Sequence, residues 1–341
     1  MLHGKVISKH PKKKIVIGVI GLGVGAFHLS NSLLNKNCRV KYICDINKKK
    51  LTFYKKKFNI QMVTTNFNDV VNDREINTII IASNDKDHFH QVANSLKNNK
   101  HVFIEKPMCL SIKELNTIMK IKKNKPNLCI SSNLVLRTHP FFKKMIKEKK
   151  KFKKIYYLEG DYNYGRLDKL TKGWRGKIEN YSVILGGGIH LLDLILKIKE
   201  KKVKEIYTLS NKLITSNFKK TPDDFAVSLL RFEDNSIAKI SSNFSSSTDH
   251  HHVLNLYSKN TSFFYNRDQS SQYFREKENK PKIRVKYKYD NKTKGKMLIN
   301  FFDSILSNKN RLIISENEQF YLMKVCLMLV ESQFKKKIIK L

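Results

Sequence analysis

The stretch that decides the fold is residues 15–26, IVIGVIGLGVGA, in which a short apolar run leads directly into closely spaced glycines. Such a run is typical of a strand that is buried on both faces of a parallel sheet. Gly21 permits the tight turn, Gly23 lets backbone N–H groups approach a pyrophosphate, and Ala26 is the small residue where helix meets strand. The pattern predicts a dinucleotide-binding turn made by the backbone of Gly21, Gly23, Val24, Gly25 and Ala26.

An acidic residue follows this turn at the distance expected for the adenosine end of a dinucleotide. Asp45 lies nineteen residues after Ala26, at the end of the next predicted strand. A carboxylate there accepts hydrogen bonds from the ribose hydroxyls and repels a 2′-phosphate, so the sequence favours NAD over NADP. Ile46 supplies no cation that would reverse this preference. The lysines at positions 48–50 leave NADP open as the alternative.

Strands and helices alternate along the first part of the chain. Apolar strands are predicted at residues 15–20, 40–44, 78–82, 101–104 and 128–131. Helical patterns lie between them, and Ser111 with Glu114 has the spacing of a capping box that opens one of the helices. This alternation predicts an α/β fold with a Rossmann-type, doubly wound parallel sheet.

The sequence changes in character after about residue 136. Longer, partly alternating segments predict strands at residues 154–164, 203–214, 225–234 and 236–245, with helices at 189–198 and 316–332. We therefore expect a Rossmann domain at residues 1–136, whose residues 1–13 form a loose basic arm. A substrate-binding α/β domain with an open, mostly antiparallel sheet is expected at residues 137–341.

The net charge of +38 is the most pronounced feature of the composition. Strong basicity points to nucleic acid or an anionic membrane as a partner. Only ten of the 67 basic residues are Arg, however, and the lysines are spread along the whole chain, unlike the concentrated, Arg-rich surfaces of nucleic-acid readers. A proteome-wide preference for Lys, Asn and Ile explains the pattern better, so we expect no nucleic-acid partner. A positive field would still attract phosphorylated or carboxylated substrates.

Cysteine usage and the apolar segments bear on the compartment. The five cysteines form no CxxC pair and are odd in number, which argues against a disulfide framework and against a zinc site. No apolar run approaches the ~18 residues that a membrane span needs. The basic N-terminus lacks the apolar core and cleavage site of a signal peptide. We therefore expect a cytoplasmic protein with no bound metal and no membrane partner.

A second motif, Glu105-Lys106-Pro107, directly follows the predicted strand at residues 101–104. Open α/β sheets bind their ligands at the carboxyl ends of the strands. A lysine at this point can contact both the nicotinamide ribose and a reacting oxygen atom. Judged by position alone, an ordinary surface lysine before a helix explains the motif equally well.

A third motif occupies residues 186–193, GGGIHLLD, where a glycine turn leads into a helix. His190 lies in the first turn, and Asp193 shares its helix face because the two residues are three positions apart. A histidine has a pKa near working pH and can act as a general base. A hydrogen-bonded histidine with a merely helix-stabilising aspartate is the alternative interpretation.

These motifs together resemble the Gfo/Idh/MocA family of oxidoreductases, which includes sugar, inositol and nucleotide-sugar dehydrogenases. The shared features are the glycine turn at residues 21–26, the Glu-Lys-Pro at 105–107 and the Gly-x-His at 188–190. Residues 79–107, IIIASNDKDHFHQVANSLKNNKHVFIEKP, are very close to the family's form, and Asn133, Arg137 and Pro140 match its NxxxRxxP segment between domains. The resemblance covers nearly the whole chain.

The resemblance implies an NAD(H)-dependent oxidoreductase that transfers a hydride between NAD and the C–OH or C=O of a sugar, polyol or nucleotide sugar. It implies that His190 takes the hydroxyl proton, that Lys106 holds the oxygen, and that the Lys106–Pro107 peptide is cis. It also implies a homodimer or homotetramer formed through the C-terminal sheet. Residues 160–176, GDYNYGRLDKLTKGWRG, are similar to members found in surface-polysaccharide and unusual-sugar biosynthesis.

The candidate site residues fall into three groups. The catalytic candidates are Lys106, His190 and Asp193. The cofactor-binding candidates beyond the glycine turn are Asp45, Ser83, His88, Glu105 and Lys106. The substrate candidates, chosen because aromatic faces and Arg side chains suit sugars and phosphates, are Arg137, Tyr162, Tyr164, Arg166, Trp174 and Arg175.

The chain departs from the family at one point that bears on catalysis. Many members carry an Asp four residues before the histidine, and this chain has Gly186 there. Either Asp193 substitutes for that acid, or His190 works with Lys106 alone. Two other functions therefore stay open: an NAD-dependent glycosidase and a non-catalytic dinucleotide-binding sensor.

Overall fold

The computed structural model describes residues 15–179, 181–218, 222–266, 269–274, 283–286, 291–309 and 311–341. The basic arm expected at residues 1–13 lies outside these ranges. The described residues form two sheets, one parallel and one mostly antiparallel. This confirms the predicted fold class.

The first sheet has six parallel strands in the order β3-β2-β1-β4-β5-β6. Its strands are β1 (Ile15–Ile20), β2 (Cys38–Cys44), β3 (Met62–Thr64), β4 (Thr78–Ile81), β5 (His101–Ile104) and β6 (Ile130–Ser132). The intervening helices are α1 (Gly25–Leu33), α2 (Lys48–Phe58), α3 (Phe67–Val71), α4 (His88–Lys97) and α5 (Ile112–Lys123). Every residue of β1 and β4 is buried, as expected for central strands covered on both faces.

The second sheet has nine strands in the order β14-β13-β12-β11-β7-β10-β9-β8-β15. They are β7 (Ile155–Asn163), β8 (Val203–Asn211), β9 (Phe225–Phe232), β10 (Ile237–Asn243), β11 (His251–Ser258), β12 (Thr261–Asn266), β13 (Gln269–Phe274), β14 (Ile283–Lys286) and β15 (Ile339–Lys340). Its pairs are antiparallel except for β7 and β10, which run parallel.

Five further helices complete the described structure: α6 (Pro140–Glu148), α7 (Asp168–Thr171), α8 (Ile189–Lys199), α9 (Asn291–Ser307) and α10 (Glu316–Lys335). A π-helical turn at Ile184–Gly188 leads directly into α8. Helix α8 is buried almost all round and packs on β7. No described helix has the length and apolarity needed to cross a membrane.

Helix α10 joins the two sheets. The side-chain amide of Gln319 donates to Ile130 O at 2.9 Å and accepts from Ser132 N at 3.0 Å, so it binds the edge of the parallel sheet. Farther along the helix, Ser332 Oγ accepts from Thr208 N of β8 at 3.0 Å. The sheets are therefore bridged by one helix, and the domain boundary at residue 136 stays a prediction.

Candidate active site

The glycine turn has the backbone geometry that a dinucleotide site requires. Gly21 has a φ of +83°, and a Cβ there would overlap the carbonyl of Ala82, so only glycine is unstrained. Gly23 is different, because a Cβ there would meet nothing within 4 Å. The space in front of Gly23 is therefore open. Gly25 is a point of close contact between helix and strand, because its Cβ position is 3.2 Å from Ala82 Cβ and 3.6 Å from Val19 Cγ1.

Asp45 lies beside this turn and is almost fully buried. Its Oδ2 atom accepts a hydrogen bond from Leu22 N at 2.6 Å, and its Oδ1 atom accepts from Asn47 N at 2.8 Å. Lys50 Nζ lies 4.0 Å from the same carboxylate. The carboxylate thus ties the second strand to the turn, with one of the predicted lysines close by.

These residues fit NAD. The N-cap residue of α1, Val24, makes no side-chain capping bond, so no side chain blocks the helix N-terminus, where phosphate oxygens can bind. The open space at Gly23 faces the same helix end, and Val24 is 57% exposed there. Asp45 would hold the adenosine ribose through its carboxylate oxygens, which can each accept a further hydrogen bond.

The Glu105-Lys106-Pro107 motif lies at the carboxyl end of β5 with a cis Lys106–Pro107 peptide, as expected. Glu105 Oε1 accepts from Asn133 Nδ2 at 2.6 Å and bonds His28 Nε2 at 2.8 Å. Burial alone would raise the pKa of Glu105, but these two hydrogen bonds and the nearby charges lower it. Glu105 is thus an anchored carboxylate behind the lysine.

Lys106 reaches from the parallel sheet to the second domain. Its Nζ atom donates a hydrogen bond to the carbonyl oxygen of Gly186. Burial, followed by the charge of Arg175, lowers the pKa of Lys106 from its usual range to about 8. The ammonium form therefore still predominates at pH 7, but its proton is easier to lose than that of a surface lysine.

His190 lies in the first turn of α8, next to Lys106. Its Nδ1 atom is buried with no hydrogen-bond partner in the described part of the chain, and Nε2 is the ring nitrogen with access to solvent. The ring stacks at 6.1 Å on that of Tyr162. Burial and then the charge of Lys106 hold the pKa of His190 well below 6.5. The imidazole is therefore neutral at pH 7.

The glycines before His190 give space to two tyrosines. A Cβ at Gly186 would overlap the hydroxyl of Tyr181, and one at Gly187 would overlap the ring of Tyr162. The Tyr181 hydroxyl accepts from Arg175 Nε at 2.9 Å and donates to Asp85 Oδ2 at 3.2 Å. A tyrosine–aspartate pair therefore occupies the space next to Gly186.

Asp193 and Arg137 do not lie where their predicted roles require. Arg137 binds Asp193 through Nε at 2.9 and 3.1 Å and through Nη2 at 2.7 Å, and both side chains are buried. Glu318 is the second carboxylate partner of Arg137, with Oε1 3.3 Å from Nη1. This arrangement argues against Asp193 as the acid that serves His190 and against Arg137 as a substrate ligand.

Two further cofactor candidates line the route from the turn to Lys106. Ser83 Oγ donates to Gln91 Oε1 at 2.6 Å. His88 bonds Pro107 O through Nδ1 at 2.7 Å, and its Nε2 atom is buried without a partner among the described residues. His88 therefore has one buried ring nitrogen without a partner in the described ranges, and its role as a cofactor contact stays a prediction.

Four of the substrate candidates share one wall with His190. Tyr162 packs on Tyr164 at 5.6 Å, and Arg166 lies over the Tyr164 ring at 5.2 Å. Arg175 acts electrostatically on both Tyr162 and Lys106. The Arg175 guanidinium lies over the Trp174 ring, with Cζ 4.3 Å from the ring centroid.

Four residues at this site were not predicted from the sequence. Asp85 follows β4, and Tyr181 precedes the glycines. His250 and His252, at the point where β11 begins, pack on the Tyr162 ring with centroid distances of 5.0 and 5.2 Å. The run of three histidines at 250–252 was a visible signal, whereas nothing in the sequence pointed to Tyr181. No group of three or more His, Cys, Asp or Glu side chains within the described ranges could hold a metal ion.

A lysine from a parallel, nucleotide-binding sheet binds the glycine turn that leads into His190 of the mostly antiparallel domain. This arrangement is that of a two-domain, NAD-binding oxidoreductase. Residues 15–132 match the Gfo/Idh/MocA model described as "Oxidoreductase family, NAD-binding Rossmann fold". Residues 142–263 match the C-terminal domain of the same family. The chain belongs to the Gfo/Idh/MocA oxidoreductase family.

Curated relatives agree with this assignment. The chain is 27% identical over 237 residues to "Uncharacterized oxidoreductase YrbE" of Bacillus subtilis (strain 168), covering 67% of each chain. It is 24% identical over 232 residues to the myo-inositol 2-dehydrogenase of Thermotoga maritima, covering 66% of this chain and 67% of that protein.

Solved structures share the fold. Scyllo-inositol dehydrogenase from Lactobacillus casei, with bound NAD(H) and scyllo-inositol, has a TM-score of 0.77 at 18% identity, covering 96% of this chain and 99% of that chain. A putative NADPH-dependent oxidoreductase from Desulfitobacterium hafniense has a TM-score of 0.81 at 15% identity, covering 96% and 97%.

Proposed function

We propose that the protein is an NAD-dependent dehydrogenase that interconverts a C–OH group and a carbonyl on a sugar, polyol or nucleotide sugar. The observation that carries the proposal is the placement of Lys106, from the parallel sheet, beside His190, from the second domain. Bound NAD would supply the hydride chemistry. The inositol dehydrogenase names of the relatives support a polyhydroxylated substrate.

The two side chains divide the proton chemistry between them. His190 is neutral at pH 7 with Nε2 accessible, so it can accept the hydroxyl proton as a general base. Lys106 is cationic below its pKa of about 8, so it can hold the oxygen and stabilise negative charge that develops there. Because Asp193 is committed to Arg137, we propose that His190 works with Lys106 and without Asp193.

NAD is the proposed cofactor, in preference to NADP. The Asp45 carboxylate would repel a 2′-phosphate at the adenosine ribose. Lys50, 4.0 Å from that carboxylate, is the cation that an NADP-binding form would use. Comparing NADH with NADPH decides between them.

The chain is proposed to form a homodimer or homotetramer through its second sheet. Leu209 of β8, Leu229 of β9 and Ile237 of β10 share the sheet face opposite α8 and α10, and they are 55%, 50% and 38% exposed. An apolar face of this kind is typical of association between copies. The surface-polysaccharide or unusual-sugar setting is proposed from the sequence of residues 160–176 alone.

The test is formation of NADH, followed at 340 nm, across inositols, sugars, sugar acids, sugar phosphates and nucleotide sugars. With an active substrate, Lys106→Ala is expected to lower turnover by ~10²–10⁴-fold, which is the usual contribution of a positioned acid–base group. NADH affinity should change little. Lys113→Ala, at an exposed lysine of α5, is the matched control and should leave the rate unchanged.

Other outcomes identify the competing functions. Hydrolysis of a glycoside that needs NAD but gives no net NADH would make the protein a glycosidase. Tight NADH binding with no turnover of any compound would favour the sensor. Either result overturns the proposed dehydrogenase.

A further inference from the structure

Two cations, Lys106 and Arg175, lie at this site, and the two carboxylates near them already bind other protein groups. The carboxylates that act on Lys106 are Asp85 and Glu105, and both already have protein partners. The cation that acts on Lys106 is Arg175. The charge of Arg175 acts unfavourably on Lys106, and a bound anion would relieve this repulsion.

Arg175 has unused hydrogen-bonding capacity. Its side chain is only 19% exposed, and its guanidinium lies over the Trp174 ring at 4.3 Å. Its Nε donates to Tyr181 at 2.9 Å and lies 3.8 Å from Asp85 Oδ2. The two terminal NH₂ groups have no hydrogen-bond partner among the residues that the structure describes. A largely desolvated guanidinium with four unused N–H groups is suited to bind a carboxylate or phosphate.

A second arginine lies at the outer end of the same wall. Arg166 is exposed and lies over the Tyr164 ring at 5.2 Å. The Tyr164 ring contacts the His250 ring at 5.1 Å. Tyr164 also interacts electrostatically with Arg175, so both arginines border the same wall. Arg166 and Lys106 both act on His250. The wall from His190 to Arg166 is therefore cationic along its length.

The phosphates of a dinucleotide do not account for these arginines. The open space at Gly23 and the N-terminus of α1 provide a separate place for the pyrophosphate in the first domain. Arg166 and Arg175 belong to the segment between β7 and the π-helical turn of the second domain. They therefore belong to the same domain as His190.

We propose that the substrate is an anion: a sugar or polyol whose carboxylate or phosphate binds Arg175 and Arg166 while its reacting C–OH group faces Lys106 and His190. This inference rests on the proposed dehydrogenase function and narrows its substrate class. The carboxylate of a sugar acid and the phosphate of a sugar phosphate or nucleotide sugar share this chemistry. The two sources are separated by experiment.

The experiment compares matched compounds with NAD⁺: a hexose, its uronic acid and its 6-phosphate, and an inositol with its monophosphate. An acidic compound should be oxidised with a kcat/KM at least 10-fold above that of its neutral partner, and its KM should rise with salt. Preference for the uronic acid identifies a carboxylate, and preference for the phosphates identifies a phosphate. Higher kcat/KM for every neutral partner would overturn the inference.

Variants locate the anion. Arg175→Gln should reduce the ratio of acidic to neutral kcat/KM by about 10–100-fold, as expected for the loss of charge-assisted hydrogen bonds. Arg166→Gln, at an exposed side chain whose loss leaves the core intact, should reduce it about 3–10-fold. The matched control is Arg74→Gln, at an exposed arginine before β4, at the amino end of the first sheet. A ratio unchanged in both site variants would refute the assignment.

Direct binding separates this inference from the proposed reaction. Isothermal titration of the protein–NADH complex with the uronic acid and the sugar phosphate needs no turnover. Binding that is lost in Arg175→Gln, without NADH formation from any compound, would support the anion site and refute the dehydrogenase. Turnover of neutral compounds with no binding of acidic ones would support the dehydrogenase and refute the anion site.

Discussion

Replacing Asp193 by Ala separates a structural role from a catalytic one. The Arg137 and Asp193 side chains are 4% and 1% exposed, and three N···O contacts of 2.7–3.1 Å join them. Removing the carboxylate leaves a buried guanidinium with Glu318 at 3.3 Å as its remaining carboxylate. We expect Asp193→Ala to destabilise the protein and to leave the chemistry of His190 nearly unchanged.

The size of the effect follows from the burial. Breaking one side of a buried ion pair typically costs about 3–5 kcal/mol, and the remaining Glu318 contact places this pair at about 3 kcal/mol. An unfolding entropy of about 2.1 cal/mol/K per residue gives about 0.7 kcal/mol/K for 341 residues. The expected fall in Tm is then about 4 °C if the chain unfolds as one unit.

The assay is a thermal melt of each variant together with kcat/KM at 20 °C. Glu331→Ala is the control, since its pair with the exposed Lys335 one turn along α10 lies at the surface and should contribute less than about 1 kcal/mol. Asp193→Ala should lower Tm by about 4 °C and keep kcat/KM within about 3-fold of the wild type. An unchanged Tm with a loss of activity above 100-fold would refute the structural role and return Asp193 to the catalytic group.

Three further predictions concern the cofactor, the pH profile and the glycine at position 186. In a fluorescence titration, NADH should bind more tightly than NADPH, and Asp45→Ala should reduce the ratio of their affinities about 10-fold. Tighter binding of NADPH to the wild type would contradict the role of Asp45. The kcat/KM for oxidation should fall only well below pH 6.5, as His190 becomes protonated, and again above about pH 8, as Lys106 loses its proton. His190→Asn should remove the acid limb, and an acid limb that persists would exclude His190 as the base. Gly186→Asp should lower Tm and turnover because its Cβ overlaps the Tyr181 hydroxyl, and a neutral result would contradict the packing.

The parallel sheet was predictable because its central strands are continuous apolar runs. Strands β1 and β4 are buried along their whole length, so burial on both faces left a clear signal in the sequence. Strand β3 and helix α3 were missed because they have three and five residues, too few to show a period. The position of β3 is set by its pairing with β2.

Parts of the site were predictable for a different reason. Lys106 and His190 each follow a turn or strand that a sequence pattern can locate. Asp193 was assigned to the same face as His190 from the spacing of three, but α8 is buried on nearly every side. In such a helix, spacing does not tell which neighbour a side chain meets. The meeting of Tyr181 with Asp85, 96 positions apart, is a tertiary contact that no local pattern encodes.

The buried cations say more about function than the net charge of +38 does. Lys100 is 6% exposed, and its ammonium donates to Asp73 O and Ile76 O at 2.7 and 2.6 Å. Lys122 is likewise buried and binds Pro126 O and Glu316.

Each of these lysines binds two protein oxygens, so its burial is explained by contacts within the fold. Lys106 has one such acceptor, Gly186 O, and Arg175 uses only Nε, toward Tyr181 and Asp85. Desolvated donors without protein acceptors are costly unless a ligand supplies the missing oxygens. The position of those two cations, and not the number of lysines at the surface, therefore marks where an anionic substrate would bind.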